Sequence, residues 1–176
     1  MSYRMVGFLA GAALAVTGVT GVAVAADGPN DAQIAHIAYT AGNLDVEAGK
    51  QALAKSHNKA VREFASEMVR DHQAVNDKAL ALVKELKVTP EDNATSKALT
   101  KAEKAEMKKL ASLNGPAFDK AYAANEVAYH KTVNNALKST LIPSAHNPQL
   151  KSLLETGLTL FAEHLQHAEH LASELK

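Results

Sequence analysis

Apolar positions along the chain recur mostly at helical spacing. Near the C-terminus, Leu150, Leu154, Gly157, Phe161, His164, Ala168, Leu171 and Leu175 step alternately by four and three. That spacing keeps side chains on one face of an α-helix. A second stripe runs Val61, Phe64, Met68, His72, Val75, Ala79, Leu82 and Leu86. A third segment carries two neighbouring rows: Phe118, Tyr122, Tyr129, Val133 and Ala136, then Ala123, Glu126, His130, Val133 and Leu137. Ile34, Ile37, Ala41, Leu44 and Ala48 form a weaker fourth stripe. Pro29, Pro90, Pro116, Pro143 and Pro148 punctuate these patterns. The stretch 30–87 exceeds one globular helix, and Ser56-His57-Asn58 is a natural corner within it.

These signals predict helices near 31–55, 59–87, 117–139 and 149–175, with loops at 88–95 and 140–148. A short lysine-rich helix ending near Leu113 starts at Ser96 or at the capping-box-like Thr100-Lys-Ala-Glu103. Four long amphipathic helices with a long crossover after the second predict an all-α, ferritin-like four-helix bundle. An up-down-up-down bundle is the alternative.

The first 26 residues stand apart. Arg4 precedes an uncharged apolar run from Val6 to Val24, and small residues follow at Ala23, Ala25 and Ala26. This is the pattern of a secretory signal peptide cleaved after Ala25 or Ala26. It predicts one mature domain, 27–176, in the periplasm or outside the cell, with no integral span after cleavage. An uncleaved membrane anchor is the alternative.

Composition narrows the chemistry. The chain has no cysteine, which excludes disulfides, thiolate metal sites and a cysteine nucleophile. Lysine plus arginine and aspartate plus glutamate balance at 19 each, so no basic surplus argues for nucleic acid. Hydrophobic content of 47% is enough for a core. Lys97–Lys109 mixes its lysines with Glu103 and Glu106 and reads as a solvated helix face.

Eight histidines are the distinctive feature. His72, His130 and His164 fall on inner rows of three helices, each near mid-helix. Glu47 lies near the middle of the fourth, at the edge of its stripe. Convergence at one level would give a three-imidazole, one-carboxylate set suited to zinc, copper(II), iron(II) or nickel. Asp71 and Glu163 precede two of these histidines and point elsewhere, where they could orient imidazoles of other helices. The alternative is a layer of hydrogen-bonded core histidines with no metal. His36, His57, His146 and His170 read as surface residues, and His167 stays open. The Glu-x-x-His motif of di-iron bundles is absent at the inner histidines, because Val69, Val127 and Phe161 stand three residues before them. Phosphate-loop, dinucleotide and nucleophile-elbow motifs are absent too, so an enzyme is disfavoured.

With these residues in view, the mature chain resembles a bacterial family of exported proteins, domain of unknown function 4142, often labelled predicted outer membrane proteins. The resemblance rests on Asn43-Leu-Asp-Val-Glu47-Ala-Gly-Lys50, Phe64-Ala, Met68-Val-Arg-Asp71-His72, Leu113-Asn-Gly-Pro-Ala-Phe118-Asp119-Lys-Ala-Tyr122, Val127-Ala-Tyr-His130 and Glu163-His164-Leu165. It implies a ferritin-like bundle in the periplasm, with Glu47, Asp71, His72, His130, Glu163 and His164 as the family-typical polar positions. The helical periodicity does not fit a barrel. Two departures stand out: Tyr129 replaces the acid that commonly precedes the histidine, and the loop around Leu141–Asn147 is longer than usual. Two readings follow: a metal-binding bundle for buffering or stress response, and a metal-free structural or interaction protein of the envelope. The protein partner is unspecified, and a homo-oligomer is left open.

Overall fold

A computed structural model describes residues 28–175, so the segment 1–26, expected to be a signal peptide, lies outside the described residues. Among the described residues, five long helices form the fold: α1 (Asp31–Lys55), α2 (Lys59–Glu85), α3 (Ala94–Ala111), α4 (Gly115–Ala136) and α5 (Pro148–Glu174). An asparagine stands before each one: Asn30, Asn58, Asn93, Asn114 and Asn147. Four of them accept backbone N–H groups of the first turn; Asn114 does not. Such caps satisfy donors the helix cannot satisfy itself, and each is worth about 1 kcal/mol.

Hydrogen bonds along α1 fix the directions of α3, α4 and α5, while α2 turns back from α1 through the short Ser56–Asn58 corner. Glu91 N–H donates to the Ala32 carbonyl at 3.0 Å, at the start of α1. Gln51 Nε2 donates to the Met107 carbonyl at 2.9 Å and Lys55 Nζ to the Ala111 carbonyl at 3.0 Å, at its end. The crossover helix α3 therefore runs parallel to α1. Ser56 Oγ donates to Asp119 and Tyr129 Oη donates to the Ala41 carbonyl at 2.8 Å, so α4 runs back the other way. His146 and Asn147 N–H groups donate to the Asp31 carboxylate, each at 2.9 Å, which starts α5 beside the start of α1. The order is up, down, crossover, down, up. This is the ferritin-like connectivity, and it rules out the up-down-up-down alternative.

Three boundaries differ from the sequence reading. The crossover helix starts at Ala94, because Asn93 and Ser96 form a reciprocal capping box. α4 continues through a π-helical turn at Leu137–Leu141 and an α-helical turn at Ile142–Ser144, where a loop was predicted. Pro143 is tolerated there because an initial turn needs no N–H from it. α2 ends at Glu85, with Lys87 at φ 53° turning the chain away.

Two apolar cores fill the bundle. One packs Ala48, Ala52, Val61, Phe64, Met68, Phe118, Tyr122 and Leu171. The other packs Ile34, Ile37, Leu137, Leu150, Leu154 and Phe161. Asp45, His72, Glu126, His130 and His164 fall between these two sets along their helices, His72 between Met68 of the first core and Val75 packed on the second. They therefore lie at one level of the bundle. Among the described residues, no helix is long and apolar enough to cross a membrane.

Candidate metal centre

Helical registry brings His72, His130 and His164 together between the cores. All three are at most 2% exposed. Their ring centres lie 5.6 Å (72 to 130), 5.2 Å (72 to 164) and 5.5 Å (130 to 164) apart. One nitrogen of each falls within 4.8 Å of the others. The fourth helix contributes Asp45, 1% exposed, rather than Glu47. Asp45 Oδ2 is 3.3 Å from His72 Nε2 and 3.6 Å from His130 Nε2. Neither contact has hydrogen-bond geometry, since both nitrogens and both Asp45 oxygens are without hydrogen-bond partners. Around a tetrahedral ion with bonds of about 2.1 Å, neighbouring ligand atoms stand roughly 3.4 Å apart. The Asp45 contacts to His72 and His130 fall near that edge, while the ligand-spaced group of the three imidazoles does not itself include Asp45.

Tautomers are set by the surroundings. His130 Nδ1 lies 3.0 Å from the Glu126 carbonyl, which can only accept, so Nδ1 carries the proton and Nε2 keeps its lone pair. His164 Nε2 lies 3.2 Å from Asp71 Oδ2, leaving Nδ1 buried and free. His72 stacks on Phe161 at 4.5 Å, with rings 9° from parallel, and both its nitrogens are unpartnered. The two supported histidines thus each keep one nitrogen unpartnered, the other being held by the same helix in His130 and by Asp71 of α2 in His164.

Electrostatics favour neutral imidazoles. Burial holds His72 well below its ordinary value, and the neighbouring His130 and His164 push the same way. Burial lowers His130 to about 4. His164 is lowered by burial and partly restored by Asp71. Asp71 is itself held down, first by the Arg70 guanidinium, which donates to it at 2.6 and 2.9 Å. Burial pushes Asp45 up to about 8, with Glu103 adding to it. Glu126, 1% exposed, is raised well above the carboxylate range by burial, then by Asp45 and Glu103. Metal ligands must be neutral imidazole or carboxylate, so the histidines are already in ligand form at neutral pH, while the acids hold protons that a bound ion would have to displace.

Two expected residues do not join the site. Glu47 is exposed, because it lies two positions from Asp45 and therefore about 200° around the same helix. Glu163 is exposed as well and makes no hydrogen bond to an imidazole among the described residues. Asp71 does orient an imidazole of another helix, that of His164. His167 is half-exposed and pairs with Glu67 Oε2 at 2.7 Å, outside the buried layer. His57, His146 and His170 are exposed.

Asp45, Glu126 and Glu103 were not singled out from sequence as site residues. Their signal was positional: Asp45 is four after Ala41 and three before Ala48, while Ser96, Glu103 and Leu110 are buried at intervals of seven. The lysines around Glu103 masked that repeat.

Comparison with curated proteins and with solved structures finds no match. The family described as "Domain of unknown function (DUF4142)" matches residues 18–171, a span that contains every residue of this centre, and the chain belongs to that family.

Proposed function

We propose that this protein is an exported metal-binding bundle that holds a divalent transition ion on His72, His130, His164 and Asp45. One observation carries the reading: three buried imidazoles from three helices meet at one level, with Asp45 Oδ2 at 3.3 and 3.6 Å and no hydrogen bond made by these facing atoms. Orphaned buried polar atoms are costly, and a cation gives all of them a partner at once. Three imidazoles and a carboxylate suit zinc, copper(II), iron(II) or nickel. Four protein ligands close a tetrahedral sphere, as in structural sites; catalytic sites keep a position open. The set therefore favours holding an ion over turning over a substrate, and buffering in the envelope is the role proposed. Export is supported by Arg4, the apolar run from Val6 to Val24 and the small residues at Ala23 to Ala26.

The test is elemental analysis of untagged protein, wild type beside H72A, H164A, E47A and E163A. The two histidine variants are expected to lose bound metal and the metal-dependent rise in melting temperature. The two glutamate variants are expected to keep both. Unchanged metal in H72A and H164A, or a wild-type melting temperature indifferent to chelator, contradicts the proposal and favours a metal-free polar core.

A further inference from the structure

The metal reading of the three imidazoles leaves part of the buried polar layer unused. Glu126, one turn before His130 on α4, has Oε2 buried without a hydrogen-bond partner. The nearest nitrogen, His130 Nδ1 at 3.5 Å, is already engaged by the Glu126 carbonyl at 3.0 Å. One further turn back, the buried Tyr122 hydroxyl lies beside Glu126 and tempers the upward push on its carboxyl, although the contact falls short of full hydrogen-bond geometry. Asp45 keeps a second buried oxygen, Oδ1, with no partner. Oxygens of Asp45 and Glu126 and a His130 nitrogen lie within 4.8 Å of one another, a second ligand group that shares His130 with the imidazole group. Glu103, delivered by the crossover helix and 5% exposed, accepts from Asn125 Nδ2 at 3.2 Å and adds negative charge beside them. Among the described residues, the ion pairs of Asp45 and Glu126 go to histidines alone, and neither meets a lysine or arginine.

Resting on the metal reading above, we propose that Asp45 and Glu126 hold a second divalent cation, with Asp45 bridging it to the ion on the imidazoles. Carboxylate-bridged pairs place their ions about 3.5–4 Å apart, a separation one carboxylate can span with its two oxygens. The second position is oxygen-rich, so it selects a harder ion than the imidazole position does: manganese(II) or iron(II) rather than copper. The centre is then asymmetric, nitrogen-rich on the side of His72 and His164 and oxygen-rich on the side of Glu126. The competing role for Glu126 is to orient His130 only. A supporting residue of that kind weakens the first ion by about 10–100-fold when removed, and it takes away no equivalent of metal.

Stoichiometry separates these roles. Metal-free full-length protein, wild type and E126Q, is equilibrated with manganese(II) plus zinc, desalted and analysed for metal per chain. Circular dichroism reports folding, and E126D, which keeps the charge, serves as a second variant. The expected result is two ions per chain in the wild type and in E126D, and one in E126Q. In protein loaded with manganese alone, the electron paramagnetic resonance signal should be spin-coupled in the wild type and that of an isolated ion in E126Q. One ion per chain in the wild type overturns the second position and leaves the first standing. Two ions in E126Q also overturns it. No ion in the wild type overturns both.

Discussion

Replacing Asp45 by asparagine should move stability in opposite directions with and without metal. Asp45 is fully buried, and its carboxyl is pushed from 3.8 up to about 8. An acid raised on folding binds its proton more tightly in the folded state, so stability falls as pH climbs from about 4 to about 8. At pH 7 the unfolded chain ionises Asp45 while the folded, metal-free chain keeps it protonated. The gap between 3.8 and 7 corresponds to about 4 kcal/mol of destabilisation. Asparagine removes that contribution, but its amide inherits unpartnered surroundings that cost roughly 1–3 kcal/mol. Metal-free D45N should therefore be more stable than wild type by roughly 1–3 kcal/mol at pH 7, which raises the melting temperature by about 2–10 °C in a domain of this size. With metal the sign reverses. The variant loses the carboxylate that sits against two imidazoles, and a loss of affinity of about 100-fold removes about 2.7 kcal/mol of metal-linked stability. Thermal unfolding at pH 7 by circular dichroism, with chelator and with excess zinc, reads both effects. A lower melting temperature for metal-free D45N, or an equal zinc-dependent rise in both proteins, refutes the reasoning.

Two further outcomes follow from the same geometry. His130 is lowered from 6.5 to about 4, so its contribution is complete above about pH 6.5 and is lost as pH falls toward 4. In metal-free D45N/E103Q/E126Q, where the three opposing carboxylates are gone, His130 alone should remove about 2 kcal/mol between pH 7 and pH 5; equal urea midpoints at the two pH values contradict this. Gly49 lets α1 approach α2, since an added Cβ would stand 2.9 Å from Val69 Cγ2 and 3.1 Å from the Ala65 carbonyl. G49A should cost about 1–3 kcal/mol, seen as a lower denaturation midpoint with metal and without it, and an unchanged midpoint contradicts the close approach.

The helices and the three histidines were legible because burial of one face forces a period of 3.6 residues, and His72, His130 and His164 obey it as strictly as the leucines around them. Connectivity was less legible: sequence could place a crossover, but its direction depends on contacts such as Gln51 to Met107, far apart in the chain. The carboxylate that α1 brings beside the histidines is Asp45, two residues before the Glu47 expected there. α1 packs against α2, α3 and α4 at once, so its buried face is broad and its apolar stripe gives no sharp edge. Glu47 at that edge and Asp45 inside it looked alike. Glu103 was hidden for a different reason. Its helix is polar on most sides, and a single buried acid among lysines carries no compositional mark. Glu126 lay on an inner row from the start, yet no Glu-x-x-His pattern drew attention to it, because its partner His130 stands four residues on rather than three.

X-ray absorption at the zinc edge, on protein loaded with one equivalent, tests the centre most directly. Three imidazole nitrogens and a carboxylate oxygen predict a four-coordinate first shell at about 2.0–2.1 Å, with the outer-shell scattering of three histidines, retained in E47A and diminished in H72A. A shell of oxygen alone, or histidine scattering that survives H72A unchanged, contradicts a centre built on His72, His130, His164 and Asp45.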